Sequence, residues 1–506
     1  MTVACATLDA VTEPGRTPIP GSPARPAGAA DPAPSMTAED LVRATGGRLL
    51  RRSDRRIRGG AVDSRLVTHD ALFIALPGER TDGNRYLAQA AAAGASALLV
   101  RREPLADEPP LDALGDVTVV LVADTLRGLH ATAAAWRRRF SPLVIGVTGS
   151  IAKTSTKEAV AGVLEQRFAT LRTEGNRNNE VGMPLTVLRL GPEHQAAVLE
   201  MGMYTGGEIR DLAAIGRPSF GIVTAVQPVH LSRIGSIEAI EDAKAELVEA
   251  LPPASEGGVA ILNADDPRVA RMAARTPARV VTYGFDPAAD VTADAIATAG
   301  FEGMRFRLRT PAGERGASIP ALGRLAIHNA LAATAAGLAA GITLDEILRG
   351  IAAASTAEHR SVVVQAGGLT IVDDAYNASP GSMRAALELL AGLPGRHLAV
   401  LGEMRELGDA HAEGHREVGL ATAALDLLVV VGGGPGGPAA GIVEGAREAG
   451  LPEDRIRVAA DADEAVARLR EAARDGDVVL VKASRGVALE RVVDALAGRV
   501  DQAPAR

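Results

Sequence analysis

From residue 97 onward the chain repeats one polarity pattern: a short apolar run, a polar or glycine-containing cluster, then an Ala/Leu/Glu-rich stretch. The runs fall at 97–100, 117–124, 143–149, 196–202, 220–226, 259–266, 369–376, 397–404, 427–434 and 478–486. Most are continuously apolar rather than alternating, as strands are when a parallel sheet buries both their faces. The intervening stretches have helical composition, so the fold class is α/β with crossover connections. Near the start, "MTAEDLVRATGGRLL" (36–50) has helical spacing and a stop at Gly46–Gly47. Several runs end in polar clusters, at the strand ends where open α/β sheets bind ligands. Seams fall at "RRRFSP" (137–142) and after "LDEILRGIAAAS" (344–355). At roughly 150 residues per domain, 506 residues suggest about three domains.

Composition narrows the class. A net charge of -8 gives no basic field, so nucleic acid is not an expected partner. The single cysteine, Cys5, excludes an internal disulfide framework and a cysteine-built metal cluster, and fits a reducing cytoplasm. No apolar run is long enough to span a bilayer, so no membrane insertion is expected. Residues 1–35 are rich in Pro, Ala and Gly, lack the basic and apolar regions of a signal peptide, and read as a disordered tail.

The densest chemical signal is "VIGVTGSIAKTSTKEAV" (144–160). A strand, a glycine turn and a helix start would aim backbone N–H groups at an anion, with Lys153 for phosphate and Thr154 for Mg²⁺. The strict phosphate-loop pattern fails twice, at Val147 and Ala152, so an ordinary strand–turn–helix with a surface lysine stays open on these residues alone. Alanine at 152 costs little if the position has an ordinary helical φ, and that is the expectation.

Further stretches follow in order: "EGNRNNEVGMPLTVLRL" (174–190), "AVLEMGMYTGGEIRDLAAIGRPSFGIVT" (197–224), "LNADD" (262–266), "HNALAATAAG" (328–337), "VDDAYNASPGSM" (372–383), "LGEMRELG" (401–408) and "LVKASRG" (480–486). With the loop "TGSIAKTSTKE", this succession resembles the Mur ligases, whose shorter loop needs no glycine at Val147. "VDSRLVTHDALFIALPGERTDG" (62–83) is similar to their uridine-nucleotide domain, and "DDAYNASP" favours the dipeptide-adding branch. The resemblance implies three domains: a UDP-sugar-binding domain (36–141), a central ATP-binding domain with a P-loop ATPase-type parallel sheet (142–356), and a Rossmann-like C-terminal ligase domain (357–506).

It implies ATP and Mg²⁺ (two ions) as cofactors, UDP-MurNAc-tripeptide and D-Ala-D-Ala as substrates, a cytoplasmic location and a monomer. Gly149, Ser150, Ile151, Ala152, Lys153, Thr154 and Ser155 would hold the triphosphate, Asn329 the adenine, and Arg360 and Asp374 would complete the nucleotide site. Thr154, Glu200 and His230 would ligate metal. Lys153, His230 and Lys244 would be catalytic, Lys244 as a CO₂-carbamylated lysine. Ser64, Arg65, Thr81, Asp82 and Gly83 would bind the UDP-sugar, with Asn178 and Asn179 facing that substrate. Read without the resemblance, Lys244 in "EDAKAEL" belongs to a solvated helix face, where acidic neighbours hold it cationic.

The chain departs from the pattern at Ala152, Leu325, His359, Ser379 and Ala483. Competing readings are the tripeptide-forming sister, a folylpolyglutamate-type ligase, and a non-catalytic nucleotide-binding scaffold. "HAEGH" (411–415) has no third ligand and Glu413 out of register, so it does not read as a zinc protease site.

Overall fold

The computed structural model describes residues 34–78, 81–228, 234–354 and 358–499. His230 lies outside the described residues, as does the expected tail except for Pro34 and Ser35. Three sheets occur in chain order. The first has five strands in the order Arg48–Arg51, Thr118–Leu121, Ala97–Val100, Leu72–Ile74, Gly60–Ala61, all parallel except the first. The second has nine, with Leu143–Thr148 between Phe220–Val223 and Ala196–Glu200. The third has six, with Val478–Lys482 between Leu369–Asp373 and His397–Leu401.

All ten apolar runs contain strands. Val144, Ile145 and Val147 are fully buried, each worth about 1.5–3 kcal/mol relative to exposure. The central sheet departs from the expected parallel form at one side. There Met304–Thr310 runs antiparallel to both of its neighbours, Val291–Thr298 and Gly313–Ile319. Along Met304–Thr310 the residues Met304, Phe306 and Leu308 are buried while Arg305 and Arg307 are exposed, the period-2 pattern of a sheet with one wet face.

The stretch at 137–142 is not a loose linker. Helix Thr125–Arg137 carries Trp136, whose Nε1 donates to Leu190 O (3.0 Å), and Arg137, whose Nε donates to Gly216 O (2.8 Å). Arg137 is 6% exposed, so the first and second sheets are joined through a continuous core. The expected helix at the start is Ala38–Thr45, with a Thr37/Asp40 capping box and Gly46 left-handed at its end.

Candidate active site

Register assembles the site. In the central sheet Val147 pairs with Glu200 and Thr148 with Val223, so the loop after Thr148 emerges beside Glu200 and Thr224. Gly149 has φ +149°, and a Cβ there would run into Thr224 Oγ1. Only glycine fits that close approach. Ser150 ties the loop down: its N donates to Ala225 O (2.7 Å), and its hydroxyl accepts from Gln227 N (2.8 Å). Thr224 Oγ1 donates to Ile151 O (2.6 Å).

Helix Lys153–Leu164 begins here, and no side chain caps its N-terminus, which leaves the first turn to meet an anion. Its N-cap residue is Ala152, at φ 65°, ψ 0°. The ordinary helical φ expected for Ala152 is therefore not observed. The turn that directs the loop into the helix needs a left-handed residue, a conformation that costs an L-residue about 1–2 kcal/mol. Ala152→Gly is expected to stabilise the protein by about 0.5–1 kcal/mol, the relief of strain less the entropy of a glycine. ATP KM is expected to change less than a few fold. Denaturant unfolding reads the first effect, and a lower midpoint in the variant would contradict it.

Lys153 is half-buried, its Nζ 2.7 Å from Gly149 O. Burial lowers its pKa; Glu200 opposes that shift and Arg360 adds to it. Beside it Thr154 Oγ1 donates to Glu200 Oε1 (3.1 Å), and Asn178 Nδ2 donates to the same oxygen (2.7 Å). Glu200 is 1% exposed, and its Oε2 is buried with no hydrogen-bond partner. A buried carboxylate oxygen left without a donor is costly unless a cation meets it. This donor set, a carboxylate and a hydroxyl at a phosphate loop, fits Mg²⁺. Among the described residues no cluster of three or more His, Cys, Asp or Glu could hold a metal.

The third sheet reaches the same place. Arg360 Nη2 donates to Thr154 Oγ1 (3.3 Å), and its guanidinium stacks 4.1 Å from the Tyr376 ring centroid. Asp374 pairs with Lys482 Nζ (2.6 Å) and accepts from Ser361 N (3.1 Å). Asn329, on helix Arg324–Ala339, accepts from Thr156 Oγ1 (2.9 Å), which engages its carbonyl end and leaves the NH₂ end for a ligand. A cavity of about 730 Å³ joins the loop residues 150–155, Asn178, Asn179, Glu200, Asn329, Arg360 and Asp374. Tyr376, Lys482 and Arg485 also line it and were not among the expected site residues; Lys482 and Arg485 lie in the polar end of the run at 478–486.

Lys244 is 3% exposed, which overturns the solvated-face reading. Its acidic neighbours turn elsewhere: Glu241 pairs with Arg271 (2.8 Å), Asp242 with Arg275 (2.6 Å), and Glu246 accepts from Gly207 N (2.7 Å) and Arg210 N (3.0 Å). Burial, with the Lys153 charge adding to it, holds the Lys244 pKa well below the usual lysine range.

The expected sugar-nucleotide residues line no part of this cavity. Both segments pack against helix Leu87–Ala92. Ser64 is buried and donates to Gln89 Oε1 (2.9 Å); Asp82 caps the turn Gly83–Tyr86 and pairs with Arg101 (3.1 Å). Backbone atoms of Ala75 and Leu76 leave no room for a Cβ at Gly83. Arg65, paired with Asp63 (2.6 Å), and Thr81 are exposed. Asn178 and Asn179 are not simple substrate-facing amides: the first holds Glu200, and Asn179 Oδ1 accepts from Gly182 N (2.8 Å) at a helix start.

Two departures are harmless in structure. Ser379 caps helix Pro380–Ala391, and Ala483 is fully buried without a positive φ. Leu325 stands at the cavity, 36% exposed. In "HAEGH", His415 is structural: Nδ1 donates to His411 O (2.7 Å) and Nε2 accepts from Met404 N (2.8 Å), while burial lowers its pKa.

Three family models match in chain order: the Mur ligase family, catalytic domain over 56–137, the Mur ligase middle domain over 147–337, and the Mur ligase, glutamate ligase domain over 359–485. A UDP-N-acetylmuramoyl-tripeptide–D-alanyl-D-alanine ligase of Mycobacterium tuberculosis is 39% identical over 475 residues, covering 87% of this chain and 92% of the relative. The protein of that name in Escherichia coli is 38% identical over 441 residues, with 86% and 92% covered. Among solved structures, MurF from Acinetobacter baumannii matches with a TM-score of 0.82 at 30% identity, covering 92% of this chain and all (100%) of that one. MurF from Thermotoga maritima in complex with ADP matches at 0.76 and 27%, with 87% and 97% covered. A folylpolyglutamate synthase of Mycobacterium tuberculosis, at 19% identity and a TM-score of 0.57 over 74% of this chain and 95% of its own, shares the fold alone.

Proposed function

We propose that this chain, which belongs to the Mur ligase family, joins D-Ala-D-Ala to UDP-N-acetylmuramoyl-tripeptide in peptidoglycan synthesis, converting ATP to ADP and phosphate. The observation that carries the nucleotide half is one cluster: the uncapped helix start with Lys153, the Thr154–Glu200 pair, and Arg360 arriving from the third sheet.

The tripeptide carboxylate attacks the γ-phosphorus of ATP, ADP leaves, and an acyl phosphate forms. The D-Ala-D-Ala amine then attacks that carbonyl; the tetrahedral intermediate loses a proton and phosphate to give the amide. Activation is needed because oxide is a poor leaving group from a carboxylate. Phosphoryl transfer depends mainly on positioning and charge neutralisation. Lys153 and Arg360 supply fixed positive charge, and the amides of residues 150–155 cradle the phosphates. Thr154 and Glu200 would hold Mg²⁺, which when bound neutralises phosphate charge; a second ion and its ligand His230 are part of the same proposal. Asn329 reads the adenine. Asp374 holds the turn that carries Arg360.

We assign 36–141 to UDP-sugar binding, with Arg65 and Thr81 its most exposed candidates, 142–356 to ATP and 357–506 to closure and ligation. A monomer in the cytoplasm fits an enzyme acting on soluble nucleotide precursors, and among the described residues no helix is long and apolar enough to cross a membrane. Phosphate release is expected only when ATP, UDP-MurNAc-tripeptide and D-Ala-D-Ala are all present. Equal release with a UDP-dipeptide and a single amino acid would favour the tripeptide-forming sister; no release under any combination would favour a scaffold.

A further inference from the structure

Arg360 sits in an unusual piece of backbone. Both its neighbours have positive φ, His359 at 56° and Ser361 at 54°. Neither is glycine, so each is strained and persists only where its surroundings hold it. The holding groups come from one place, the end of strand Leu369–Asp373 and the residues after it. His359 Nδ1 lies 2.6 Å from Asp373 Oδ2, and Tyr376 N donates to His359 O (3.1 Å). Ser361 N donates to Asp374 Oδ1 (3.1 Å). Asp373 is itself fixed: it is 3% exposed and its Oδ1 accepts from Ala375 N (3.2 Å). Arg360 is thus gripped by consecutive aspartates acting on the residues before and after it. Only its side chain projects, over Tyr376 and on to Thr154.

We propose that the His359–Asp373 pair is a clamp that locks the left-handed turn and so aims Arg360 at the transferred phosphate, which makes His359 a positioning residue for phosphoryl transfer. The imidazole bonds to Asp373 rather than to the phosphate loop; it acts through the backbone of Arg360. Without the clamp the turn relaxes towards ordinary φ values, and the guanidinium swings from its place. A displacement of about 1 Å at a charge-stabilising group is enough to cost on the order of a hundredfold in rate. The clamp rests on the role given above to Arg360 at the phosphates.

The test is a double-mutant cycle in the full chain, with phosphate release as readout. His359→Ala and His359→Gly are expected to lower kcat by about 10–100-fold with the KM for UDP-MurNAc-tripeptide unchanged. The glycine variant keeps the left-handed backbone without strain, so its loss reports the missing imidazole rather than misfolding. His359→Asn tolerates the left-handed region and retains a donor for Asp373, and is expected to recover most of the rate. In an Arg360→Ala background, His359→Gly is expected to cost nothing further. Losses that multiply, or a His359→Gly variant as fast as the parent beside a crippled Arg360→Ala, would overturn the clamp. Full rate in Arg360→Ala would remove the role of Arg360 and the clamp with it.

Discussion

Lys153→Ala is expected to lower kcat by about 10²–10³-fold, the scale seen when one preorganised charge or donor is removed from a shielded site. The same lysine on a surface would be worth at most about 1 kcal/mol. What raises its worth here is its setting: half-buried at the mouth of the loop, 2.7 Å from Gly149 O, with Glu200 offsetting the cost of burying its charge. Its contribution grows as negative charge shifts during phosphoryl transfer, so the loss falls on kcat more than on KM. The fold is expected to survive, because Ser150 and Thr224 anchor the loop and alanine is a good residue at a helix start. Phosphate release with both substrates present measures the effect, and urea unfolding checks the fold. Release at the parental rate in a folded variant would refute the assignment.

The parallel strands could be read directly because burial on both faces leaves an unbroken apolar run, as in Leu427–Val431. The antiparallel extension carries a different signal: Met304–Thr310 alternates, with arginines at 305, 307 and 309, and so forms no continuous apolar run. The sign of φ at Ala152 and His359 is not written in local composition. It is imposed by what the loop must reach, Thr224 in one case and Asp373 in the other. The burial of Lys244 is written in the helical period rather than in its neighbours' charges. Ile240, Lys244, Leu247 and Leu251 recur at helical spacing, and the three apolar members are at most 3% exposed. The lysine therefore interrupts the apolar stripe of helix Ile237–Glu249, while Glu241 and Asp242 lie off it. Ser64, Asp82 and Gly83, expected at a UDP-sugar, each have an internal structural reason to be what they are, so residue type alone does not separate the two roles.

Lys244→Arg is expected to be inactive, and Lys244→Ala to lose about 10²-fold or more and to regain part of it with a small added carboxylate such as formate. A lysine amine condenses with CO₂ only when neutral: the nitrogen lone pair forms the N–C bond, a proton is released, and an anionic carbamate results. The structure supplies the first requirement, because burial and the Lys153 charge both disfavour the ammonium. The second requirement, a setting that welcomes the anion, follows from the same cation: Lys153, which repels the ammonium, attracts the carbamate. Arginine keeps its charge under all these conditions and cannot take up CO₂ in this way. Alanine leaves space that a small carboxylate can enter, whereas Lys244→Met fills the site, preserves packing and is expected to be inactive without rescue. A direct readout stands apart from activity. With ¹³C-labelled CO₂ the parent should show a carbamate carbon resonance that Lys244→Met lacks. A fully active Lys244→Arg variant, or identical spectra for parent and Lys244→Met, would leave Lys244 as a buried neutral amine with no carbamate chemistry.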